Sequence, residues 1–251
     1  MGSEPLCTRP ERGHRPFTRL TDNTTIELII ETESGESTFT LPKQYLVAVS
    51  PYFEKALSGE WVESRKRQIR LGDLKASTMH IFVEWLFTRD IFLVFHGSEG
   101  PSAMDLARTA ASSGMMQSAE WCDIAKKLQR GMLSLYVFGD KFDVPQLRRD
   151  AIDNMSEFLF TTRTPPQSKV VSLAYDCLPE NSPMIKLFID AYARVGDESH
   201  IQAARVEDIP MEFFIDVLLQ MKSTSVGEYN SCDYHGHDVK DHAEAMNGER
   251  G

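Results

Sequence analysis

A short stretch near the end of the chain carries the residues best suited to binding a metal. Cys232, His235 and His237 form a C-x-x-H-x-H pattern, and His242 follows five residues later. Thiolate and imidazole are the usual zinc ligands, and a structural zinc site needs four ligands in a tetrahedron. These four residues are therefore a candidate zinc site.

The competing interpretation is a solvated tail whose histidines titrate near neutral pH. On an extended chain, His235 and His237 would point to opposite sides. Structural zinc sites more often use paired ligands at C-x₂₋₄-C or H-x₃₋₅-H spacing, and little apolar sequence lies nearby to shield a metal. Both interpretations stay open, and apart from this zinc we expect no cofactor.

Other residues able to do chemistry lack the motifs that catalysis requires. The sequence has no phosphate-binding glycine loop with Lys and Ser/Thr, no G-x-G-x-x-G, no G-x-S-x-G and no H-E-x-x-H. We interpret Asp140-Lys141 as the polar end of a helix and His80 as a residue at the rim of another. Cys122 and Cys177 fall within predicted helices and are expected to be buried structural thiols. No catalytic residue is predicted.

Composition and charge restrict the classes of partner. Hydrophobic residues make up 41% and charged residues 25%, as in ordinary globular proteins, and no apolar run approaches the length of a membrane span. The formal net charge of −10 argues against broad affinity for nucleic acid. The basic run Arg65-Lys66-Arg67, with Arg70 beyond it, is interpreted as a solvated turn before a strand.

The start of the chain and its cysteines predict the compartment. The first residues, MGSEPLCTRPERGHRP, lack the apolar core of a secretory signal. The four cysteines are dispersed and form no C-x-x-C pair. Reduced thiols in the cytoplasm or nucleus are therefore expected.

The elements that would position any site begin with a hairpin and two short helices. Thr25–Glu31 alternates apolar and polar residues, Ser34-Gly35 signals a turn, and Phe39 and Leu41 continue the alternation. Ser50-Pro51 then ends one short helix and can cap the next. Ser58-Gly59 should end that second helix.

A strand and an amphipathic helix follow. Gln68–Leu71 alternates like a half-buried strand. The next helix shows one apolar face, with Ser77 or Thr78 as its cap; that face comprises Met79, Phe82, Val83 and Leu86.

The order of these motifs resembles the BTB/POZ domain, most closely its fungal members. The family pattern has an apolar helix, Ser-x-x-Phe, Gly-x-aromatic-x-Glu-Ser, Ile-x-Leu, an aromatic-rich helix and a later "AdKY" helix. The matching segments are Ser50–Phe53, Gly59–Ser64, Ile69–Leu71, Trp85–Thr88 and Leu135–Leu147. The resemblance implies an α+β fold, with a small sheet flanked by helices.

The domain organisation combines this resemblance with helical patterns further along. We predict a disordered arm at 1–24, the BTB/POZ domain at 25–158 with an insertion at about 92–130, an all-α extension at 159–222 and a mobile acidic tail at 223–251. Within the insertion, 119–129 is expected to form a helix that leads into the "AdKY" helix. Beyond the Pro-Thr linker at 161–167, three helices are predicted, the last with Met211, Phe214, Ile215 and Leu218 on its packing face.

The resemblance implies a protein–protein interaction module without enzymatic activity. Such domains self-associate or act as adaptors for transcriptional or cullin-type ubiquitin-ligase complexes. The competing hypothesis is an enzyme with an unrecognised site in the insertion or the helical extension. The sequence names no partner.

Two family features are missing or weak here. Cullin adaptors of the family carry an apolar-x-acidic motif before the "AdKY" helix, but the matching residues 129–134 include no acidic side chain. This absence, and crowding by the insertion, argue against a cullin partner. Family dimers often exchange an N-terminal strand, and here only Phe17 and Leu20 could anchor one. A weak dimer and a monomer both stay open.

Overall fold

The computed structural model describes residues 23–32, 35–59, 62–91, 105, 108–110, 112, 118–196, 209–222 and 234–235. They divide between two compact units. The first comprises the described residues up to 91 together with 134–151, and the second comprises those of 105–133 and 152–235. All but the last two positions of the predicted arm, and much of the predicted insertion, lie outside the described residues.

A small sheet forms the first unit's framework, in the order β2-β1-β3. Its strands are β1 (Thr25–Thr32), β2 (Gly35–Pro42) and β3 (Gln68–Leu71). β2 pairs antiparallel with β1, placing Phe39 opposite Leu28, and β3 pairs parallel with β1, placing Ile69 opposite Leu28. The predicted hairpin and the predicted third strand are confirmed.

Ser50 separates two short helices, α1 (Lys43–Val49) and α2 (Pro51–Leu57). Its hydroxyl accepts a hydrogen bond from the Phe53 backbone N–H at 3.1 Å and donates one to the Phe142 carbonyl at 2.6 Å. The predicted cap is therefore present, with an added long-range bond that the sequence did not indicate. Helix α2 ends as expected, at Ser58 and Gly59.

The short helix α3 (Val62–Lys66) follows α2. It leads into β3 and then into α4 (Ala76–Thr88). The prediction that Ser77 or Thr78 caps α4 is wrong, because Lys75 occupies the N-cap position without a side-chain bond. Asp73, with φ 58°, redirects the chain right after β3. The helix can therefore begin earlier than its apolar face suggests.

Helix α5 (Ala119–Lys141) is one continuous helix of 23 residues. The predicted helix over 119–129 and the predicted "AdKY" helix are therefore parts of one element. Gly131 does not break α5, since a glycine costs only about 1 kcal/mol relative to alanine inside a helix. Leu128, Met132 and Leu135 are fully buried and continue one apolar face across this point.

Gly139 allows the end of α5 to approach α6 (Pro145–Thr162) closely. A Cβ atom at this position would lie 2.9 Å from Arg148 Cγ and 3.3 Å from the Val144 carbonyl oxygen. Within the first unit, Leu147 and Ala151 of α6 are buried, and in the second so are Met155 and Leu159. These four positions recur every four residues and share one face of the helix.

The second unit continues with α7 (Ser168–Cys177), α8 (Pro183–Val195) and α9 (Met211–Lys222). The Pro-Thr linker before α7 is held by buried Gln129 of α5. The Gln129 amide donates to the Pro165 carbonyl at 3.3 Å, and its oxygen accepts from the Gln167 N–H at 3.0 Å. The three helices predicted after the linker are present.

Helix α9 packs on a different face from the predicted one. Phe213 and Val217 are its buried residues, whereas Met211, Ile215 and Leu218 of the predicted packing face are exposed. Apolar residues cover well over half of the circumference of α9 and leave one polar face at Glu212, Asp216 and Gln220. More than one apolar face is therefore available for packing. The Phe213 ring decides the choice by lying edge-on to Tyr192 and Tyr175, with centroids 5.4 and 6.3 Å away.

Candidate functional site

The proposed metal ligands can be followed only at His235. Its Nε2 lies 2.7 Å from Asp153 Oδ1 of α6, and both side chains are at least nine-tenths buried. Cys232, His237 and His242 lie outside the described residues. The zinc site therefore stays a prediction, and the structure gives His235 a carboxylate partner.

Tyr234 anchors the same stretch from the other side. Its hydroxyl donates a 2.6 Å hydrogen bond to Asp190 Oδ2 of α8, and the Lys186 ammonium lies 5.7 Å from its ring centroid. A buried carboxylate requires such partners, because burial without them is costly. Tyr234 is 2% exposed. At these two positions the predicted mobile tail is packed against helices; its other residues lie outside the described part of the chain.

The neighbouring charges Asp140 and Lys141 have structural partners. Asp140 accepts from Arg148 Nη1 at 2.9 Å, and Lys141 Nζ donates to the Gly72 carbonyl at 3.0 Å. Lys141 is also the last residue of α5. The interpretation of this pair as the polar end of a helix is confirmed.

The two described cysteines correct one expectation. Cys122 and Cys177 lie in helices, as predicted, but both are exposed and neither is in a disulfide. Their neighbours Trp121 and Leu178 take the buried positions. Burial was predicted because cysteine is among the most buried residue types. Which side of the helix faces solvent, and so whether these thiols are exposed, is set by packing.

Residues with shifted pKa values lie on separate elements and have structural explanations. Burial lowers the pKa of Arg89, which the charge of Asp150 partly opposes. The Arg89 guanidinium stacks 4.4 Å from the centroid of the Trp85 ring, whose Nε1 donates to Asp150 Oδ2 at 2.7 Å. In the second unit, burial raises the pKa of Tyr175 to about 12, assisted by the nearby acidic residues of α9.

The basic run is solvated and precedes a strand as predicted, but only Arg67 is a turn residue, because Arg65 and Lys66 are helical. Arg65 and Lys66 close α3, and Arg67, with φ 55°, precedes β3. All three side chains are exposed. On β3, Arg70 forms an ion pair with Glu36 of β2, and the hydrogen bond that its guanidinium donates to this carboxylate raises the pKa of Arg70.

Exposed aromatic side chains are the feature of the first unit that sequence reasoning did not single out. Tyr52 of α2 and Phe87 of α4 are 40% and 41% exposed. Phe87 packs against Tyr45 of α1 with ring centroids 5.1 Å apart, and Tyr52 packs edge-on to Phe142 at 5.4 Å. Aromatic residues are enriched in protein–protein interfaces. We refer to Tyr45, Tyr52 and Phe87 as the aromatic surface residues.

The described residues offer neither a clustered metal site nor a membrane-spanning helix. They contain no group of three or more His, Cys, Asp and Glu side chains placed to hold a metal ion. Among the helices of that same part of the chain, none is long and apolar enough to span a membrane. In this part of the chain, the residues that the sequence suggested for metal binding or catalysis form no common site. The exposed aromatic and apolar side chains are the more prominent feature.

Comparison with known proteins agrees with the resemblance that the motifs indicated. Residues 17–125 match the family model of the BTB/POZ domain. A similar protein is Kelch repeat and BTB domain-containing protein 8 from Danio rerio, 24% identical over 132 residues. The match covers 51% of this chain and 21% of that relative, so the chain spans about a fifth of the relative's length.

These findings place a known interaction domain in the first half of the chain. BTB/POZ domains are protein-interaction domains, often in adaptors, and the family is not known for enzymatic activity. The α+β fold with a small three-stranded sheet and following helices is confirmed, whereas the domain boundaries and the fungal likeness stay predictions. Residues 17–125 of the chain are therefore recognised as a BTB/POZ domain.

Proposed function

We propose that this chain is a non-enzymatic adaptor that binds a protein partner through the aromatic surface residues of its BTB/POZ domain. The supporting observation is the exposure of Tyr52 and Phe87 at about two-fifths each, on helices whose other aromatic residues are buried. Aromatic anchors of this kind carry a large share of binding energy when a partner covers them. Location in the cytoplasm or nucleus is part of the proposal.

The test replaces Tyr52 and Phe87 individually with serine. Each variant and the wild type are purified by affinity from the native cell, and the proteins recovered with them are compared by mass spectrometry. We expect each substitution to lower recovery of at least one specific partner by 10-fold or more, because truncating an interface anchor costs about 2 kcal/mol or more. Both side chains are partly exposed, so the fold should persist.

Arg149→Ser is the matched control, since Arg149 is an exposed residue of α6 in the same unit. It should leave recovery unchanged. If all three variants recover the wild-type set of partners, the aromatic surface residues are not the binding site. A catalytic activity that survives loss of every partner would favour the competing enzyme hypothesis.

We also expect no binding to a cullin N-terminal domain. The residues that replace the family's apolar-x-acidic motif lie inside α5, where Gln129, Met132 and Leu133 are fully buried. Gln129 is further committed to the linker before α7. Titration of the purified chain with a cullin N-terminal domain should give no complex at micromolar concentration, and a stable complex would contradict this prediction.

A further inference from the structure

Helix α9 presents a continuous apolar stripe to solvent. Its exposed members are Met211 at 62%, Ile215 at 50%, Leu218 at 59%, Leu219 at 60% and Met221 at 59%. Met211, Ile215 and Leu218 are spaced at i, i+4 and i+7, so they share one side of the helix. We call the five exposed residues Met211, Ile215, Leu218, Leu219 and Met221 the α9 stripe. Single exposed apolar residues are common, but a contiguous set of this kind marks an interaction site.

The opposite side of α9 is already occupied by its own unit. Phe213 and Val217 are buried, and Phe213 contacts Tyr175 of α7 and Tyr192 of α8. The α9 stripe therefore cannot be buried by rotating the helix without exposing Phe213. The α9 stripe is therefore available to a second molecule.

The charges on α9 indicate which molecule fits. Glu212 and Asp216 lie toward its start, and Lys222, its single basic residue, lies at its end. If two copies of α9 pair in antiparallel fashion, Lys222 of each copy lies beside Glu212 of the other, and Ile215 of each meets Leu218 of the other. Parallel pairing would instead place like charges together.

We propose that the α9 stripe is a self-association surface, on which α9 of a second copy packs antiparallel across a two-fold axis. The arrangement is isologous, so every contact occurs twice. The acidic flank formed by Glu212 and Asp216 disfavours the alternative of an anionic membrane surface. Helix α9 lies outside the residues that match the BTB/POZ model. Failure of this inference would leave the proposed function intact.

Sedimentation equilibrium of the full chain tests the inference. Two 12-residue helices form an interface below the standard size, so we expect a reversible dimer that appears between about 1 μM and about 1 mM. Leu218→Glu and Ile215→Glu should each weaken it by about 100-fold or more, because each removes a buried apolar contact twice. Both positions are exposed in the single chain, so the variants should fold.

A charge exchange tests the antiparallel orientation. Lys222→Glu alone and Glu212→Lys alone should each weaken the dimer, and the double variant should restore it to within a few-fold of wild type. Lys169→Glu, the same charge change on an exposed residue of α7, should have no effect. A monomer throughout this concentration range overturns the inference and leaves a different protein as the partner of the stripe. A dimer unaffected by Leu218→Glu, or not restored by the double variant, also overturns it.

Discussion

Replacing Phe213 with alanine is expected to lower the free energy of unfolding of the second unit by about 3–5 kcal/mol, the range for removing a fully buried phenylalanine. Phe213 has no exposed surface and is the main packing residue of α9. Its loss leaves a cavity beside Tyr175 and Tyr192. Urea unfolding followed by circular dichroism would measure the change.

Phe214→Ala is the matched control, because Phe214 is adjacent and only half-buried. It should cost clearly less than Phe213→Ala, and equal costs would contradict the packing face that we assign to α9. The phenol of Tyr175 supplies a second measurement. Burial raises its pKa to about 12, so its absorbance in wild type should change well above pH 10. In Phe213→Ala, this pKa should fall toward its ordinary value.

Replacing Ser50 with alanine is expected to destabilise the first unit by about 3 kcal/mol, through loss of an N-cap and of a buried hydrogen bond. Ser50 is 1% exposed, so water cannot replace its hydroxyl. The substitution leaves the Phe53 N–H and the Phe142 carbonyl without this hydroxyl. The urea midpoint should fall while the slope of the transition stays unchanged.

Ser58→Ala is the control for this change. Ser58 lies just past the other end of α2, and its exposed hydroxyl donates to the Lys55 carbonyl at 3.3 Å. Its replacement should cost less than about 0.5 kcal/mol, as for most surface substitutions. If Ser50→Ala costs no more than Ser58→Ala, the bond to Phe142 contributes nothing to stability.

Much of the first unit could be predicted from the sequence because its signals are local. Alternation at Thr25–Glu31 predicts β1, proline at Pro51 fixes a helix start, and Ser50 has the residue type of a cap. The ordered motifs then indicate the BTB/POZ fold. Local rules predict the start of α4 less accurately. Ser77 and Thr78 are both good N-cap residues by type, yet α4 begins before them.

The candidate functional surfaces depend on packing that no local pattern carries. The side chains of Cys122 and Cys177 were predicted to be buried, and both are exposed. The same limit applies to the anchoring of Tyr234 and His235, because their carboxylate partners lie 44 and 82 residues away along the chain.

The strands, most helices and the resemblance to the BTB/POZ domain could be predicted because they follow from residue type and short-range spacing. The buried face of α9, in contrast, depends on packing in three dimensions. The apolar residues of this helix cover well over half of the circumference, so the helical period leaves more than one face that could be buried. Packing of Phe213 against the rings of Tyr175 and Tyr192 selects the buried face. The α9 stripe is exposed to solvent as a consequence.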